Sequence, residues 1–207
     1  MTHQRGIAAA ILSGGRARRM GGADKGALDI GGTTVLARQL EVLRRFTPAI
    51  FAVGRAPEGL PPGIPTVADL LPDAGALGGI YTAIVSSPCP RTLVVACDMP
   101  FLSLPLLERL AAEDADAGLV IPRTARGYEP LCAIYANTCA EGIRERIAHG
   151  DLQASVPPRD VRVVEVGPDV LAALDPDGLV FVNVNTPHDY ARARDLGILS
   201  RRSNGKG

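Results

Sequence analysis

The sequence predicts an α/β protein with a Rossmann-like fold, in which helices flank a mostly parallel central sheet. Short apolar runs alternate with segments of helical periodicity along the 207 residues. The apolar runs lack the polar alternation of a sheet with one face in water, so both faces should be covered by helices. We expect one domain over residues 1–200 and a polar, disordered tail over residues 201–207.

Seven apolar runs of four to six residues are predicted as strands. In chain order they are Ile7–Leu12, Ala49–Val53, Thr92–Ala96, Gly118–Ile121, Leu131–Tyr135, Val161–Val166 and Leu179–Val184. Sheets of this kind bind ligands beyond the carboxyl ends of their strands. The chemistry is therefore expected just after the ends of four strands, at Leu12, Val53, Ala96 and Val184.

Five segments carry the periodicity and the end signals of helices. They are Val35–Phe46, Leu77–Ser86, Leu104–Ala112, Thr138–His149 and Pro187–Leu196. Thr34 and Thr186 are suited to cap the first and the last of these, because a threonine hydroxyl accepts a hydrogen bond from an amide of the first turn. Pro187 fits the first helical position, where its missing N–H costs nothing.

The composition restricts the classes of partner. Twenty-two basic and 22 acidic residues give a formal net charge of zero, which disfavours binding to nucleic acid. The first apolar run has six residues, whereas a membrane span needs roughly 20. We expect a cytoplasmic protein without a membrane or nucleic-acid partner. The cysteines and histidines show no metal-ligand spacing, so the thiols are interpreted as reduced and buried, with a zinc site or redox switch as the alternative.

The segment directly after the first predicted strand combines glycines with cations. It runs from Leu12 to Gly26 and reads LSGGRARRMGGADKG. Glycines let backbone N–H groups approach a ligand closely, and the basic side chains add positive charge, so the segment suits a triphosphate. Its spacing matches neither the P-loop nor the dinucleotide-binding fingerprint. A flexible basic surface loop is the alternative interpretation.

One lysine stands out in this segment. The chain has 20 arginines but only two lysines, Lys25 and Lys206, and Lys206 lies in the predicted tail. Arginine does not replace lysine where a compact point charge is required. Lys25 is therefore predicted to have a function that an arginine could not perform.

The glycine-rich segment closely resembles that of the molybdenum cofactor guanylyltransferases, whose typical form is LAGG, then RxRRMG, then DKG. Ser13 replaces the usual alanine. The resemblance implies the nucleotidyltransferase version of the fold, GTP and molybdopterin as substrates and Mg²⁺ as cofactor. It also implies that Leu12, Ser13, Gly14 and Gly15 bind the nucleotide, while Arg19 and Lys25 neutralise the triphosphate. Related cytidylyl- and uridylyltransferases usually read LAAG, so Gly14 leaves room for a purine.

Asp69 is the candidate for recognition of the base. It ends the segment Val67-Ala68-Asp69, and Leu77-Gly78-Gly79 follows eight residues later, which resembles the D…GPLGG element of the family. A carboxylate can accept hydrogen bonds from N1–H and N2–H₂ of guanine. We expect Asp69, Leu77 and Gly79 to bind the nucleotide, with a loop or capping role for Asp69 as the alternative.

Asp98 is the predicted metal ligand. It follows an apolar strand in the sequence LVVACDMP, which matches the CDxP element of the family. A carboxylate at this edge of the sheet, facing a triphosphate, is the expected ligand of Mg²⁺. A turn or helix-capping role is the alternative.

Two later motifs are assigned to the acceptor side by the resemblance. GYEPLCAIY at residues 127–135 resembles the EPLCAxY strand, although its apolar residues could equally form one face of the sheet. FVNVNTP matches the family signature unchanged, and its Asn183 and Asn185 are predicted to contact acceptor or metal. In a strand the two asparagines would share a face, so the sequence does not choose between them.

The resemblance implies direct attack of the ionised molybdopterin phosphate on the α-phosphorus of GTP, without a general base. Three alternatives stay open: a cytidylyltransferase, a sugar-phosphate nucleotidyltransferase, and a non-catalytic chaperone that binds pterin or nucleotide. Contacts with other proteins of cofactor biosynthesis or molybdoenzyme maturation are also open.

Lys25→Ala should weaken GTP binding and slow transfer, and Lys25→Arg should restore only part of both. The guanidinium is broader than an ammonium and its charge is more diffuse. The dissociation constant for GTP and the transfer rate of the two variants provide the measurement. Full restoration by arginine would show that the single lysine is an accident of composition.

Overall fold

The computed structural model describes residues 6–13 and 25–204, and side chains of the last helix as far as residue 197. Eight strands in these ranges form one sheet. They are β1 (Ile7–Ser13), β2 (Ile50–Gly54), β3 (Thr66–Val67), β4 (Arg91–Ala96), β5 (Leu119–Thr124), β6 (Gly127–Tyr128), β7 (Cys132–Ala136) and β8 (Val163–Val166). Gly14, Gly15 and Arg19 lie outside the described residues, so their predicted contacts with the triphosphate stay predictions.

Six α-helices are found in the same part of the chain. They are α1 (Val35–Phe46), α2 (Gly75–Val85), α3 (Leu104–Ala111), α4 (Cys139–Ala148), α5 (Pro168–Leu174) and α6 (Pro187–Asn204). The Thr34 hydroxyl accepts a hydrogen bond from Ala37 N at 3.1 Å, and the Thr186 hydroxyl accepts one from Asp189 N at 3.1 Å, which confirms both predicted caps. None of the described helices is long and apolar enough to cross a bilayer.

The predicted elements are found with their ends shifted by a few residues, with one exception. Leu179–Val184 was predicted as a strand and is irregular. The Leu179 and Val180 amides donate to the Asp175 carboxylate at 2.9 Å, and Val184 N donates to Asp98 O, also at 2.9 Å. A side chain and a turn thus bind the donors that a neighbouring strand would have used.

The last helix is longer than the sequence indicated. Helix α6 continues from the predicted end at Leu196 as far as Asn204. It therefore enters the segment 201–207, which the composition assigned to a polar tail. Two short strands, β3 and β6, and helix α5 were not predicted.

The sheet is parallel in its core, and two strands, β6 and β7, run against the others. The strand order is β3-β2-β1-β4-β7-β5-β6, with β8 also paired to β5. Strand β1 pairs in parallel with β2 and β4, β2 with β3, and β5 with β8. Strand β7 is antiparallel to both of its neighbours, β4 and β5. The predicted parallel core is confirmed, and β7 departs from it.

Helices cover both faces of the sheet, as the apolar strands predicted. On one face Ile7, Ala9 and Ile11 of β1 pack with side chains of α1, α3 and α5. On the other face Ala8 and Ala10 pack with side chains of α2 and α4. Successive residues of β1 thus enter two different cores, which is why the strand is apolar throughout.

The first turn of α2 lies against the segment that precedes it. A methyl group added at Gly78 would lie 2.2 Å from the Leu71 carbonyl oxygen. A methyl added at Gly79 would lie 3.1 Å from Leu12 Cδ1. The two glycines therefore let the helix approach both the loop before it and the end of β1.

Gly78→Ala should destabilise the protein, whereas Gly142→Ala should not. Both glycines are the fourth residue of an α-helix, but a methyl at Gly142 meets its nearest atom only at 3.6 Å. Overpacking at Gly78 should cost about 1–3 kcal/mol. Alanine at Gly142 should gain up to ~1 kcal/mol from helix propensity. Urea unfolding of both variants measures the difference, and equal stability would contradict the close packing at Gly78.

Candidate active site

The carboxyl ends of three parallel strands form the edge at which the sequence predicted the chemistry. Leu12 at the end of β1 is in register with Ala96 at the end of β4. Just beyond the strands, Cys97 N donates to Leu12 O at 3.1 Å, and Arg55 N after β2 donates to Ser13 O at 3.0 Å. The chain leaving each strand is thus tied to its neighbour, so side chains that follow the strands are held close together.

Lys25, Asp98 and Asn185 meet at this edge. Lys25 Nζ donates to Asp98 Oδ2 at 3.0 Å and lies within hydrogen-bonding distance of Asn185 Oδ1. The Lys25 and Asp98 side chains are 21% and 12% exposed, so the ion pair is largely shielded from water. The three residues of this cluster come from the glycine-rich segment, the CDMP segment and the FVNVNTP segment. The structure thus brings together one residue from each predicted motif.

The carboxylate of Asp98 has spare bonding capacity. Asp98 is buried, and its Oδ1 atom has no hydrogen-bond partner among the described residues, whereas Oδ2 accepts from Lys25. Buried polar atoms without a partner are uncommon and often mark a place for an ion or ligand. The turn alternative for Asp98 is also satisfied in part, because its carbonyl accepts from Val184 N.

Asn185, and not Asn183, belongs to this cluster. Asn183 is exposed, and the segment that carries both residues is not a strand. The alternation rule that would have placed the two asparagines on one face therefore does not apply. Asn185 is oriented by the start of α6, where Asp189 Oδ2 accepts hydrogen bonds from the amides of Asn185 and Thr186 at 3.1 and 2.9 Å.

The donor set around Asp98 fits a magnesium ion. Mg²⁺ prefers oxygen ligands and is typically held by one or two carboxylates, with water and substrate phosphates completing its octahedron. The free Oδ1 of Asp98 and the amide oxygen of Asn185 are donors of this kind. Among the described residues no three His, Cys, Asp or Glu side chains form a metal-binding group. An all-protein metal cage is therefore not formed by the part of the chain that the structure describes.

Asp69 lies in a loop that its own side chain organises. Its Oδ1 atom accepts from Leu71 N and from the Thr82 hydroxyl, both at 3.0 Å. The same hydroxyl accepts from Leu70 N at 3.0 Å. Neither bond to the carboxylate involves Oδ2. The alternative prediction, a loop role for Asp69, is thus confirmed through Oδ1. Oδ2 takes part in neither of these bonds and is the atom that can accept from a ligand.

Leu77 and Gly79 hold the start of α2 against β1. Leu77 is buried in the core on this face of the sheet, and Gly79 lies against the Leu12 side chain. The two motifs predicted to bind the nucleotide therefore pack directly against each other.

The antiparallel direction of β7 brings the GYEPL segment to the same edge. Ala96 N donates to Leu131 O at 3.1 Å, just before β7 begins. Glu129 accepts from the Thr124 hydroxyl at 3.1 Å, and burial raises the pKa of its carboxyl against the opposing effects of Thr124 and Arg126. Arg126 donates to Phe181 O at 3.5 Å, which links this hairpin to the FVNVNTP segment.

The apolar residues of this motif belong to the core. Ala133 and Tyr135 of β7 are buried against side chains of α2 and α4, and the Tyr135 hydroxyl donates to Pro130 O at 2.9 Å. They form one face of the sheet, as the alternative interpretation of the motif predicted. Burial raises the pKa of the neighbouring Cys132 thiol to about 12, which keeps it protonated. No disulfide bond joins the four cysteines, all of which lie in the described part of the chain.

Sequence reasoning missed two buried polar residues that organise the site. Gln39 of α1 donates from Nε2 to Ala96 O at 2.6 Å and to Met99 O at 3.2 Å. Thr82 of α2 orients Asp69. Both residues are fully buried. The available signal was their position, because each is a polar residue on a helix face that is otherwise apolar.

Comparison with known proteins identifies close relatives. The chain is 36% identical over 193 residues to the probable molybdenum cofactor guanylyltransferase of Pelotomaculum thermopropionicum, with 92% of this chain and 93% of that protein covered. It is 34% identical over 218 residues to the molybdenum cofactor guanylyltransferase of Mesorhizobium japonicum, with 93% and 97% covered.

A solved structure has the same fold. Molybdopterin-guanine dinucleotide biosynthesis protein A from Archaeoglobus fulgidus superposes with a TM-score of 0.75 at 28% identity, with 93% of this chain and 98% of that protein covered. The family model of the MobA-like NTP transferase domain matches residues 9–163, a range that includes Lys25, Asp69 and Asp98. The chain belongs to the MobA-like NTP transferase family.

Proposed function

We propose that the protein transfers GMP from GTP to the terminal phosphate of molybdopterin, with release of pyrophosphate. The observation that carries the proposal is the cluster of Lys25, Asp98 and Asn185 at the carboxyl edge of the sheet. The guanylyltransferase names of the two relatives, which match nearly the whole chain, support the same donor and acceptor.

The reaction needs charge neutralisation and alignment more than proton transfer. A phosphate oxygen of molybdopterin is ionised at neutral pH, so it attacks the α-phosphorus without a general base. The new O–Pα bond forms as the bond from Pα to the bridging oxygen breaks, and pyrophosphate leaves with the electron pair. Lys25 neutralises phosphate charge from a shielded position, where its interaction with an anion is stronger than in bulk water.

Asp98 and Asn185 are the residues that would hold Mg²⁺. When bound, the ion supplies Lewis-acid neutralisation of the phosphate oxygens. The unpartnered Oδ1 of Asp98 supports this assignment. Lys25 Nζ contacts Oδ2 of Asp98 and Oδ1 of Asn185, and its ammonium offsets the charge of the Asp98 carboxylate. The three side chains therefore form one electrostatic unit.

The acceptor belongs on the side of the FVNVNTP segment. Asn183 is exposed there, and Arg126 lies beside the segment with its side chain 74% exposed. A guanidinium can bind a phosphate through two parallel hydrogen bonds. We propose that Asn183 and Asn185 contact the acceptor side of the reacting groups, with Arg126 supplying positive charge nearby.

Guanine is proposed to be read by a single carboxylate oxygen. Both hydrogen bonds that the described part of the chain makes to the Asp69 carboxylate end on Oδ1, so Oδ2 is left to accept from the N1–H and N2–H₂ edge of guanine. Cytosine and uracil do not present this pair of donors. The geometry of Asp69 therefore supports GTP over the nucleotides of the related cytidylyl- and uridylyltransferases.

A pyrophosphate-release assay with GTP and molybdopterin tests the proposed function. Wild type should release pyrophosphate only when GTP, molybdopterin and Mg²⁺ are all present. Asp98→Ala should lose at least about 90% of the rate, because several kcal/mol of metal-based stabilisation would be lost. Asp116→Ala, which changes an exposed aspartate before β5, is the matched control and should retain the wild-type rate.

The assay also separates the alternatives. Pyrophosphate release with CTP in place of GTP would indicate a cytidylyltransferase. Release with a sugar phosphate in place of molybdopterin would indicate a sugar-phosphate nucleotidyltransferase. Binding of molybdopterin or GTP without release would indicate a chaperone. If the Asp98→Ala variant keeps more than a tenth of the wild-type rate, the proposed role of Asp98 as a metal ligand is wrong.

Asp69→Asn should change base preference rather than abolish binding. Leu71 N–H and the Thr82 hydroxyl both donate to Oδ1, so they should hold the amide oxygen and direct the amide NH₂ group outward. That NH₂ group would oppose the guanine donors, at a cost of about 1–3 kcal/mol, or roughly 5- to 150-fold in affinity. It would favour xanthine, whose C2 carbonyl replaces the amino group of guanine.

The measurement compares binding of GTP, ITP and XTP to wild type, Asp69→Asn and the control Asp73→Asn, which changes an exposed aspartate four residues away. Wild type and the control should prefer GTP over ITP, and Asp69→Asn should lose this preference and gain affinity for XTP. Equal GTP-to-ITP ratios in all three proteins would assign the base contact to backbone carbonyls near Leu77 and Gly79 instead.

A further inference from the structure

Gln39 is the one described side chain that bonds to the backbone on both sides of Asp98. Its Nε2 atom donates to Ala96 O at 2.6 Å and to Met99 O at 3.2 Å. These two carbonyls flank the dipeptide Cys97–Asp98, which forms the turn after β4. Gln39 is fully buried in α1, so neither bond competes with water.

The orientation of the carboxamide follows from its surroundings. Two backbone carbonyls can only accept, so the NH₂ group must face them. The Oε1 atom faces away from them and, although buried, has no partner in residues 6–13 and 25–204. An unsatisfied buried acceptor costs free energy that an apolar residue of similar size would avoid. Gln39 accepts this cost in exchange for two bonds to the backbone on either side of Cys97 and Asp98.

The remaining bonds of the turn lead to other parts of the chain. Cys97 N donates to Leu12 O at 3.1 Å, and Val184 N donates to Asp98 O at 2.9 Å. Ala96, where the chain enters the turn, is also held by the sheet, because it is in register with Leu12 and its amide donates to Leu131 O at 3.1 Å. Met99 O, where the chain leaves the turn, accepts from Gln39 at 3.2 Å. One side chain of α1 thus ties both ends of the turn together and contributes to the direction in which the Asp98 carboxylate points.

We infer that Gln39 is a positioning residue that holds the Asp98 carboxylate in the orientation required to bind the divalent cation. The inference rests on the proposed role of Asp98. Residues that orient metal ligands without touching the metal typically contribute about 10- to 100-fold in metal affinity or activity. Gln39 acts through the backbone of Asp98 and not through a contact with substrate.

The chain offers a matched control on the same helix. Thr47, which follows the last residue of α1, is buried like Gln39, and its hydroxyl donates to Ile7 O at 2.7 Å. Ile7 begins β1, at the edge of the sheet opposite to the site. Thr47→Val removes this bond, and the bond that Ala49 N donates to the same hydroxyl at 3.2 Å, without touching the turn after β4, so it reports the purely structural effect of losing buried side-chain bonds.

The experiment compares Gln39→Met and Thr47→Val in the full chain. Mn²⁺ binding by calorimetry without nucleotide, KM for GTP, kcat and Tm are measured for both variants. Gln39→Met should weaken Mn²⁺ binding and lower kcat by about 10-fold or more. Its KM for GTP should stay within about threefold of wild type, because the Asp69 loop is unchanged. Thr47→Val should lower Tm and leave Mn²⁺ affinity and kcat near wild type.

Equal effects of the two variants on Mn²⁺ affinity would overturn the inference, as would wild-type Mn²⁺ affinity in Gln39→Met. If Gln39→Met does not fold, Gln39→Glu replaces it, because a buried carboxyl stays protonated and can donate one hydrogen bond. Mn²⁺ affinity between wild type and Asp98→Ala would then support the inference, and wild-type affinity would overturn it.

Measurement of Asp98→Ala separates a failure of the proposed role of Asp98 from a failure of the inference about Gln39. If Asp98→Ala keeps wild-type Mn²⁺ affinity, the proposed role of Asp98 is wrong and the inference about Gln39 is wrong with it. If Asp98→Ala loses Mn²⁺ binding while Gln39→Met does not, the role of Asp98 stands and only the positioning role of Gln39 is overturned.

Discussion

The bond between Lys25 and Asp98 is the interaction on which the site depends. It joins residues 73 positions apart, and the contact with Asn185 adds a third segment that lies 160 positions from Lys25. A largely buried carboxylate needs a compensating charge, and the lysine that ends the glycine-rich segment supplies it. The same electrostatic requirement that stabilises these three side chains in the folded protein also brings together the groups that we propose to bind a phosphate and a cation.

Much of this arrangement could be predicted from the sequence because it depends on local patterns. Apolar runs and helical periodicity gave most elements, and the end of an apolar strand marked Asp98 as a ligand. The choice between Asn183 and Asn185 could not be predicted, because their segment is not a strand, and its first amides donate to the Asp175 carboxylate instead of to a neighbouring strand. The direction of β7 could not be predicted either, because parallel and antiparallel strands can have the same apolar sequence pattern.

The roles of Gln39 and Thr82 could not be predicted for a different reason. The bonding partners of Gln39 are backbone carbonyls almost 60 residues away, and backbone groups carry no sequence signal. Thr82 bonds to a side chain and an amide across a loop. A polar residue on an apolar helix face indicates a buried partner but does not identify it. The site residues that lie in the family motifs could therefore be predicted from the sequence, whereas the buried residues that orient them could not.

The antiparallel strand β7 has a consequence for how the protein can change. Residues 97–131 begin and end beside Ala96, because Ala96 N bonds to Leu131 O. Strand β5 and helix α3 in this range are part of the sheet and the core, whereas the turn between β5 and β6, which carries Arg126, is exposed. A change in the length of this turn would leave the ends of β1 and β4 where they are. The turn that carries Arg126 can therefore vary among relatives while Lys25 and Asp98 keep their arrangement.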